Sequence, residues 1–264
     1  MRKIFPLFLV LLGLTGCDMK SRVELEPSPV GGMISVRSQG ELSNEPRSFS
    51  DIRVDAVTRY AGDASLTYTF EAWTRDASPR CVLHKTVAGT LSEAVFDIAL
   101  VPGDYDFLFW ADYGGGYYET TDLREVTLSS ATYTPGPARD AFSCALGHVH
   151  WTGGNGVAAT LSRPLARLTM QNAAPFGGAK AVSAEYRGVP TRYDVLTGVA
   201  SVPQTLALTF ANTTAGSVWV GEDFLFVPTD RSVGLSMTVG GVVKTLDALQ
   251  LKPNHKTNVT ATFE

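Results

Sequence analysis

The sequence is poor in cysteine and histidine, with three and four residues respectively, and it has no paired C-x-x-C motif. Cys144, His148 and His150 lie close together, and Cys81 with His84 forms a second short pair. These residues could bind zinc only if folding joined the two groups. The interpretation we favour is a disulfide or unpaired thiols beside surface histidines.

Motifs of catalysis are also missing. There is no G-x-S-x-G nucleophile elbow, and the triple glycine at 114–116 lacks the Lys-Ser/Thr ending of a phosphate loop. Asp104 and Asp106 could give oxygens to calcium, but a calcium loop needs more oxygen ligands nearby. Acidic residues are otherwise scattered, so no glycosidase pair stands out. We therefore predict a non-enzymatic protein with no catalytic residues, no metal and no cofactor.

Long helical periods and long apolar runs beyond the N-terminus are absent as well. Instead, 25 glycines and 14 prolines punctuate short stretches of alternating residues. Leu66, Tyr68 and Phe70 share one face of such a stretch, and the stretch from Tyr105 to Tyr113 is apolar on both faces. The pattern predicts an all-β protein of two β-sandwiches.

Loop-like composition divides the chain. The residues from 131 to 140 are rich in proline and glycine, and Thr152 to Gly156 is the most flexible stretch by composition. We place the domain boundary there, which gives an N-terminal sandwich over residues 31–156 and a C-terminal sandwich over residues 157–264.

The N-terminus carries an export signal. Arg2 and Lys3 precede an apolar run that ends in Leu14-Thr15-Gly16-Cys17, and a cysteine after small residues at this place is the pattern of a lipoprotein signal. The run is too short for a membrane-spanning helix. Residues 1–16 are predicted to be removed, Cys17 to receive the lipid, including palmitate, and residues 17–30 to form a tether. An ordinary cleaved signal with an incidental cysteine is the alternative.

The net charge and the two remaining cysteines limit which partners and which disulfide the protein can have. Removal of residues 1–16 takes away Arg2 and Lys3 but no acidic residue, so the net charge changes from −4 to −6. A mildly acidic surface argues against a nucleic-acid partner. Cys81 and Cys144 could form one disulfide in an exported protein, or remain two separate thiols.

Strand exchange between subunits is a further hypothesis. A removable strand would leave a groove that a neighbour's strand could fill through main-chain hydrogen bonds. The early strand from Met33 to Arg37 is a candidate, and a protease specific for basic residues could cut at Arg37 or Arg47. The alternative is a plain edge strand with surface arginines. The four tryptophans could include a sugar-stacking platform, although Trp110 fits a core position better.

Several stretches are similar to the fimbrillins of Bacteroidales, the subunits of type V pili. The similarity covers both halves of the chain in the right order and is carried by Asp104-Tyr-Asp-Phe-Leu-Phe-Trp-Ala-Asp-Tyr113, Asp140-Ala-Phe142, Arg163-Pro-Leu-Ala-Arg-Leu168 and Leu251-Lys-Pro-Asn-His-Lys-Thr-Asn-Val-Thr260.

The resemblance to this fimbrillin-like lipoprotein family implies two transthyretin-like, Greek-key sandwiches and a lipid anchor in the outer membrane, at the cell surface or in a fimbrium. It also implies an arginine-specific protease that removes the first strand, and partner pilus subunits that bind by donor-strand complementation. Mapped on this chain, the cut falls at Arg37 or Arg47.

The chain ends at Glu264, directly after the last predicted strand, with no evident donor segment. This favours a tip, anchor or accessory subunit with a role in pilus assembly and adhesion, which could bind a host protein or glycan. The membrane would be contacted through the lipid alone. The alternative function is a glycan- or protein-binding lipoprotein of a nutrient-uptake system.

Overall fold

The computed structural model describes residues 32–38, 52–55, 65–90, 93–129, 133–153 and 157–263. Strands make up nearly all the regular structure of these residues, with a short 3-10 turn at Pro137–Arg139 and no α-helix. The predicted all-β fold built of sandwiched sheets is confirmed. None of the described residues forms a helix long and apolar enough to cross a membrane.

Seventeen strands follow one another within the described ranges. The strands before residue 156 are β1 (Gly32–Ser38), β2 (Ile52–Asp55), β3 (Leu66–Thr74), β4 (Cys81–Gly89), β5 (Ala94–Ile98), β6 (Gly103–Asp112), β7 (Tyr118–Glu119), β8 (Val126–Leu128) and β9 (Ala141–Trp151). Those after it are β10 (Val157–Leu161), β11 (Leu165–Asn172), β12 (Val182–Asp194), β13 (Val199–Phe210), β14 (Trp219–Phe226), β15 (Val233–Val239), β16 (Val242–Leu249) and β17 (Lys256–Ala261).

Two sheets enclose a first core. They have the strand orders β10-β1-β5 and β4-β3-β6-β9. Leu66, Tyr68, Phe70 and Ala72 alternate along β3, and all four are fully buried in this core, as their two-residue period predicts. The ring of Phe70 lies 5.1 Å from that of Phe107 in an edge-to-face contact, an arrangement that aromatic pairs favour.

Two more sheets enclose a second core. One has the order β14-β11-β17-β2, and the other has the order β16-β15-β12-β8-β7 with β13 also paired to β12. Gly188 has a φ of +79°, and the register of β12 with β13 shifts there, between Arg187 and Val189. This bulge lets β12 continue past Arg187 to Asp194.

A third apolar cluster joins the two cores. It forms on the outer face of β6, where Leu108 and Trp110 are fully buried. Trp110 contacts Tyr118, and the ring of Tyr193 stacks on that of Phe226 at 5.4 Å. The apolar residues on both faces of β6 are thus explained, because one face lies in the first core and the other contacts residues of the second half.

Among the described strands, three pairs cross the predicted boundary at residue 156, and a bridge between Ser143 and Ser162 crosses it too. β1 pairs with β10, β2 pairs with β17, and β8 pairs with β12. The domain division itself stays a prediction. The pairings place β10 with the first core, so a boundary just after β10 matches the sheets better than one before it.

Candidate functional site

The candidate site is β1 together with the two strands that flank it, and we call it the β1 site. β1 runs antiparallel to β5 and parallel to β10. It therefore lies at the centre of a three-stranded sheet. The alternative that the stretch from Met33 to Arg37 is a plain edge strand is wrong, because main-chain pairing occupies both sides of it.

The side chains of β1 alternate as its pattern requires. Ile34 and Val36 are buried in the first core, whereas Met33 is 47% exposed on the opposite face. Ile34 lies opposite Phe96 of β5 and Val157 of β10. The strand thus contributes both main-chain hydrogen bonds and two apolar side chains to the fold.

Loss of β1 would leave a groove of defined shape. Its walls would be the unpaired edges of β5 and β10, and its floor would contain the spaces vacated by Ile34 and Val36. Burial of two such side chains contributes about 1.5–3 kcal/mol each. An incoming extended strand with large apolar residues two positions apart would restore both the pairing and the packing.

The two arginines predicted as processing sites lie on either side of the end of β1. Arg37 belongs to β1, where it lies opposite Thr160 of β10. Arg47 lies outside the described residues, in the connection from β1 to β2, and Cys17 lies outside them too. β2 pairs with β17 of the second half, so a cut at either arginine would leave β2 on the larger fragment.

Buried charges fix the connection between the halves. Arg139, in the 3-10 turn before β9, donates a hydrogen bond to Asp223 of β14 at 2.7 Å. Tyr133 donates to the other carboxylate oxygen of Asp223 at 2.8 Å, and the Arg139 guanidinium lies 3.5 Å from the centre of the Tyr133 ring. Burial raises the pKa of Asp223, although Arg139 opposes the rise.

A second buried pair lies beside the first. Arg163 donates from Nε and Nη2 to the two oxygens of Asp140, and both side chains are almost fully buried. Bidentate pairing of this kind fixes the geometry as well as the charge. The pair links two of the stretches that carry the fimbrillin resemblance, Asp140 to Phe142 and Arg163 to Leu168.

The two predicted disulfide partners are far apart. Among the described residues, Cys81 is exposed on β4 and Cys144 is buried on β9, and no disulfide joins them. β3 and β6 lie between these strands. Three strand spacings separate the cysteines by at least about 14 Å, whereas a disulfide needs Cα atoms within about 7 Å of each other.

Two of the four histidines contact carboxylates. The His84 ring is 2.8 Å from Glu71, and the His150 ring is 2.8 Å from Asp104. Asp106 instead accepts hydrogen bonds from Arg75 and from the backbone of His148. No group of three or more metal-ligating side chains occurs in the described part of the chain. The structure therefore does not bring Cys81, His84, Cys144, His148 and His150 together in one group, and Asp104 and Asp106 have separate contacts.

Glu71 gives Cys81 an unusual environment. Its fully buried carboxylate accepts hydrogen bonds from Trp73 Nε1 and the Leu123 backbone N–H, besides contacting His84. Partial burial of the Cys81 sulfur, together with the charge of Glu71, raises the pKa of this thiol to about 11. A thiol with so high a pKa is a poor nucleophile at neutral pH.

Exposed tryptophan surface is scarce. Trp110 and Trp151 are fully buried, Trp73 is partly buried, and Trp219 is 40% exposed. The Trp110 assignment to the core is confirmed.

A cleft of about 450 Å³ lies between β8, β12 and β13, with Thr191, Arg192 and Gln204 among its lining residues.

Sequence reasoning missed two parts of this arrangement. The strand β10, which forms one wall of the β1 site, has only a short alternation of Val157, Ala159 and Leu161 as its signal. The buried pair of Arg139 and Asp223 joins residues 84 positions apart, and no spacing in the sequence indicates it.

Solved structures share this fold. A candidate cell adhesion protein from Parabacteroides distasonis aligns with a TM-score of 0.53 at 11% identity, covering 89% of this chain and 88% of its own. A candidate adhesin from Bacteroides ovatus aligns with a TM-score of 0.52 at 10% identity, covering 83% and 77%. The tip fimbrial protein Mfa3 from Porphyromonas gingivalis, truncated at its C-terminus, aligns with a TM-score of 0.48 at 15% identity, covering 83% and 81%.

The two alignments with TM-scores above 0.5 show that the chain shares the β-sandwich fold of these candidate adhesion proteins from Bacteroides ovatus and Parabacteroides distasonis. The chain belongs to DUF6562, a family of unknown function whose sequence profile matches residues 30–263. No curated protein is significantly similar to it.

Proposed function

We propose that this protein is a non-enzymatic lipoprotein of the cell surface, anchored in the outer membrane through Cys17, which acts in adhesion and in pilus assembly as a tip, anchor or accessory subunit. The observation that carries the proposal is the central position of β1 in its sheet. The fold shared with candidate adhesins supports an adhesive role.

In this proposal β1 is a placeholder strand. Its removal exposes a groove between β5 and β10, and a strand of another subunit fills that groove. The buried residues Ile34 and Val36 mark the positions where an incoming strand must supply apolar side chains. The exposed residues Met33 and Ser35 mark positions that tolerate any side chain.

Of the two arginines, Arg47 is the better processing site in this proposal. Arg37 is paired with β10, and a protease must bind its substrate as an accessible extended chain. Cleavage after Arg47 would release all of β1 and would retain β2, which pairs with β17.

The experiment uses the chain from residue 17 with Cys17→Ser, which keeps it soluble, treated with an arginine-specific protease. We expect a cut after Arg47, followed by release of the segment that contains β1, which size-exclusion chromatography with light scattering detects as a smaller mass. Arg47→Lys keeps the charge but should resist the protease, so it is the matched control. Cleaved protein that binds no added strand would refute the placeholder role.

A peptide of residues 31–38 gives a second measurement. Added with a fluorescent label to the cleaved protein, it should refill the groove, and fluorescence anisotropy measures this binding. The same peptide with Ile34→Asp and Val36→Asp should not do so, because its charges would enter the apolar floor. Equal binding of both peptides would count against a groove that selects its strand by apolar side chains.

The second candidate function is binding of a glycan or protein in a nutrient-uptake system. The cleft between β8, β12 and β13 favours it, since polar side chains such as Thr191 and Gln204 line a space large enough for a small sugar. Calorimetric titration with oligosaccharides tests it. Binding that Gln204→Ala weakens would support this function, and the absence of binding across a panel of oligosaccharides would remove the glycan half of it.

A further inference from the structure

The strand β13 lies at the edge of its sheet in the described part of the chain. Among the described residues, this twelve-residue strand pairs only with β12, so the polar main-chain groups along its other side have no strand partner. β13 contains no charged residue, whereas the edge strand β4 contains Lys85 and the edge strand β16 contains Lys244 and Asp247. Charged side chains are a common means of preventing pairing between edges, and β13 lacks them.

The sequence of this edge is palindromic. Residues 205–209 read Thr-Leu-Ala-Leu-Thr in both directions. Antiparallel pairing of two identical strands about a two-fold axis at Ala207 therefore places each threonine opposite a threonine and each leucine opposite a leucine. Cross-strand threonine pairs and aliphatic pairs are both favourable, and no like charges meet.

The two faces of β13 suit such a pair. Thr205, Ala207 and Thr209 are exposed on one face, whereas Leu206 is partly buried and Leu208 is buried against the second core on the other. In a two-fold pair, Leu206 of each copy would lie opposite Leu208 of the other. The apolar layer would then continue from one molecule into the next, and the exposed part of Leu206 would be covered.

We propose that β13 is a homodimerisation edge, which joins two copies of this chain through antiparallel β13–β13 pairing centred on Ala207. The two sheets that contain β12 and β13 become one continuous sheet across the two-fold axis. A single pair of strands buries less surface than the roughly 1,000 Å² typical of a stable interface, so the dimer is weak and forms in a concentration-dependent way.

Charge substitutions at the threonines test this pairing. We use the Cys17→Ser chain and sedimentation equilibrium up to high concentration. The wild-type edge should give dimers. In the variant with Thr205→Glu and Thr209→Glu, like charges face each other across the axis, so at least a tenfold loss of dimer affinity is expected, on the order of the penalty for like charges directly opposite in a sheet.

The matched control has Thr205→Glu with Thr209→Lys. The glutamate introduced at position 205 of one copy would face the lysine introduced at position 209 of the other, at both ends of the palindrome, so dimers should return. Both variants carry two substitutions at the same exposed positions, and equal melting temperatures would show that the monomer fold is unaffected. Dimerisation of the doubly acidic variant equal to that of the wild type would overturn the proposal.

Cross-linking tests the register. Paired residues in antiparallel strands have Cα atoms about 4.5–5.5 Å apart, which lies within disulfide reach. With Cys81→Ser added to the background, Ala207→Cys should form a disulfide-linked dimer under mild oxidation. Val243→Cys on the exposed edge strand β16 is the control and should not. A wild-type chain that is monomeric at all concentrations, or cross-linking of Val243→Cys equal to that of Ala207→Cys, would refute the β13 interface.

This inference does not depend on the function proposed for β1. Dimerisation through β13 should occur in uncleaved protein, whereas an added strand should bind at the β1 site only after cleavage. If either the β13 dimer or the placeholder role of β1 is refuted, the other proposal is still tested by its own measurement.

Discussion

Arg139 Nη1 and Asp223 Oδ1 are joined by a hydrogen bond of 2.7 Å between two side chains that are almost inaccessible to solvent. The bond connects the segment just before β9 with β14, across 84 residues of sequence. Both charges are buried away from water at the place where the two halves of the molecule meet. Each charge is therefore stabilised mainly by the other.

The first prediction concerns this pair. Asp223→Asn keeps the size of the side chain but leaves the Arg139 guanidinium buried without its counter-charge. We expect a loss of about 3–5 kcal/mol in the free energy of unfolding, measured by urea denaturation. Glu125→Gln is the control, because Glu125 forms a solvent-exposed pair with Arg192, and such pairs contribute only about 0–1 kcal/mol. Equal effects of the two substitutions would contradict the assigned role.

The second prediction concerns close packing of β13 against β14. A Cβ added at Gly221 would lie 2.6 Å from a ring carbon of Phe210, too close for any real contact. Gly221→Ala should therefore destabilise the fold by about 1–3 kcal/mol, as measured by thermal unfolding. Phe210→Leu in the same chain should recover part of the loss. Gly178→Ala is the control, since nothing lies within 4 Å of its added Cβ, and it should be nearly neutral.

The third prediction concerns the Cys81 thiol. Because its pKa is raised to about 11 by burial and by Glu71, the thiolate fraction at pH 8 is about a hundredfold lower than for an ordinary thiol. Iodoacetamide labelling in a Cys17→Ser, Cys144→Ala chain should be slow at pH 8 and should still be accelerating with pH at pH 10, where the chain is folded. The same chain in urea is the control and should react at the ordinary rate. A labelling midpoint near pH 9 in the folded chain would disprove the assignment.

The fourth prediction concerns alkaline pH. Burial raises the pKa of Tyr118, Tyr133 and Tyr186 in the folded protein. A raised folded-state pKa means that these phenols stabilise the fold fully below the unfolded pKa near 10, and that their contribution is lost as the pH rises above it. Each group should then reduce stability by about 1.4 kcal/mol per pH unit.

Absorbance at 295 nm measures this effect. We expect the three buried phenols to ionise only together with a cooperative unfolding above pH 10, and Tyr186→Phe should make the loss of stability with pH less steep. Gradual ionisation of all tyrosines before any change in circular dichroism would show that the three phenols are accessible.

The sequence predicted the strands with strong two-residue periods, because burial on one face of a sheet imposes that period directly. The two-faced β6 was recognised from its apolar residues on both sides. The full length of β12 depends on its bulge at Gly188, which forms through pairing with β13. The exposed residues of β13 before Leu206 show no apolar alternation, so the sequence carries no signal for the start of this strand at Val199.

The candidate site was predicted in one part only. The stretch from Met33 to Arg37 was identified as a strand, but its central position depends on β5 and β10, which join it from distant parts of the chain. Local sequence patterns report which side of a strand is buried, and they do not report which strands become its neighbours. The separation of Cys81 from Cys144 is a consequence of sheet order in the same way.

The pairing of β2 with β17 also imposes an order on folding. The residues of the first core all lie between Ile34 and Leu161, so that core can assemble when little more than half of the chain is available. The sheet that contains β2 needs β17, a strand of six residues that begins at Lys256. Contacts of such long range form slowly. The second half of the protein must therefore remain incomplete until β17 has been synthesised, and truncation before Lys256 should leave β2 and one edge of β11 without their shared partner.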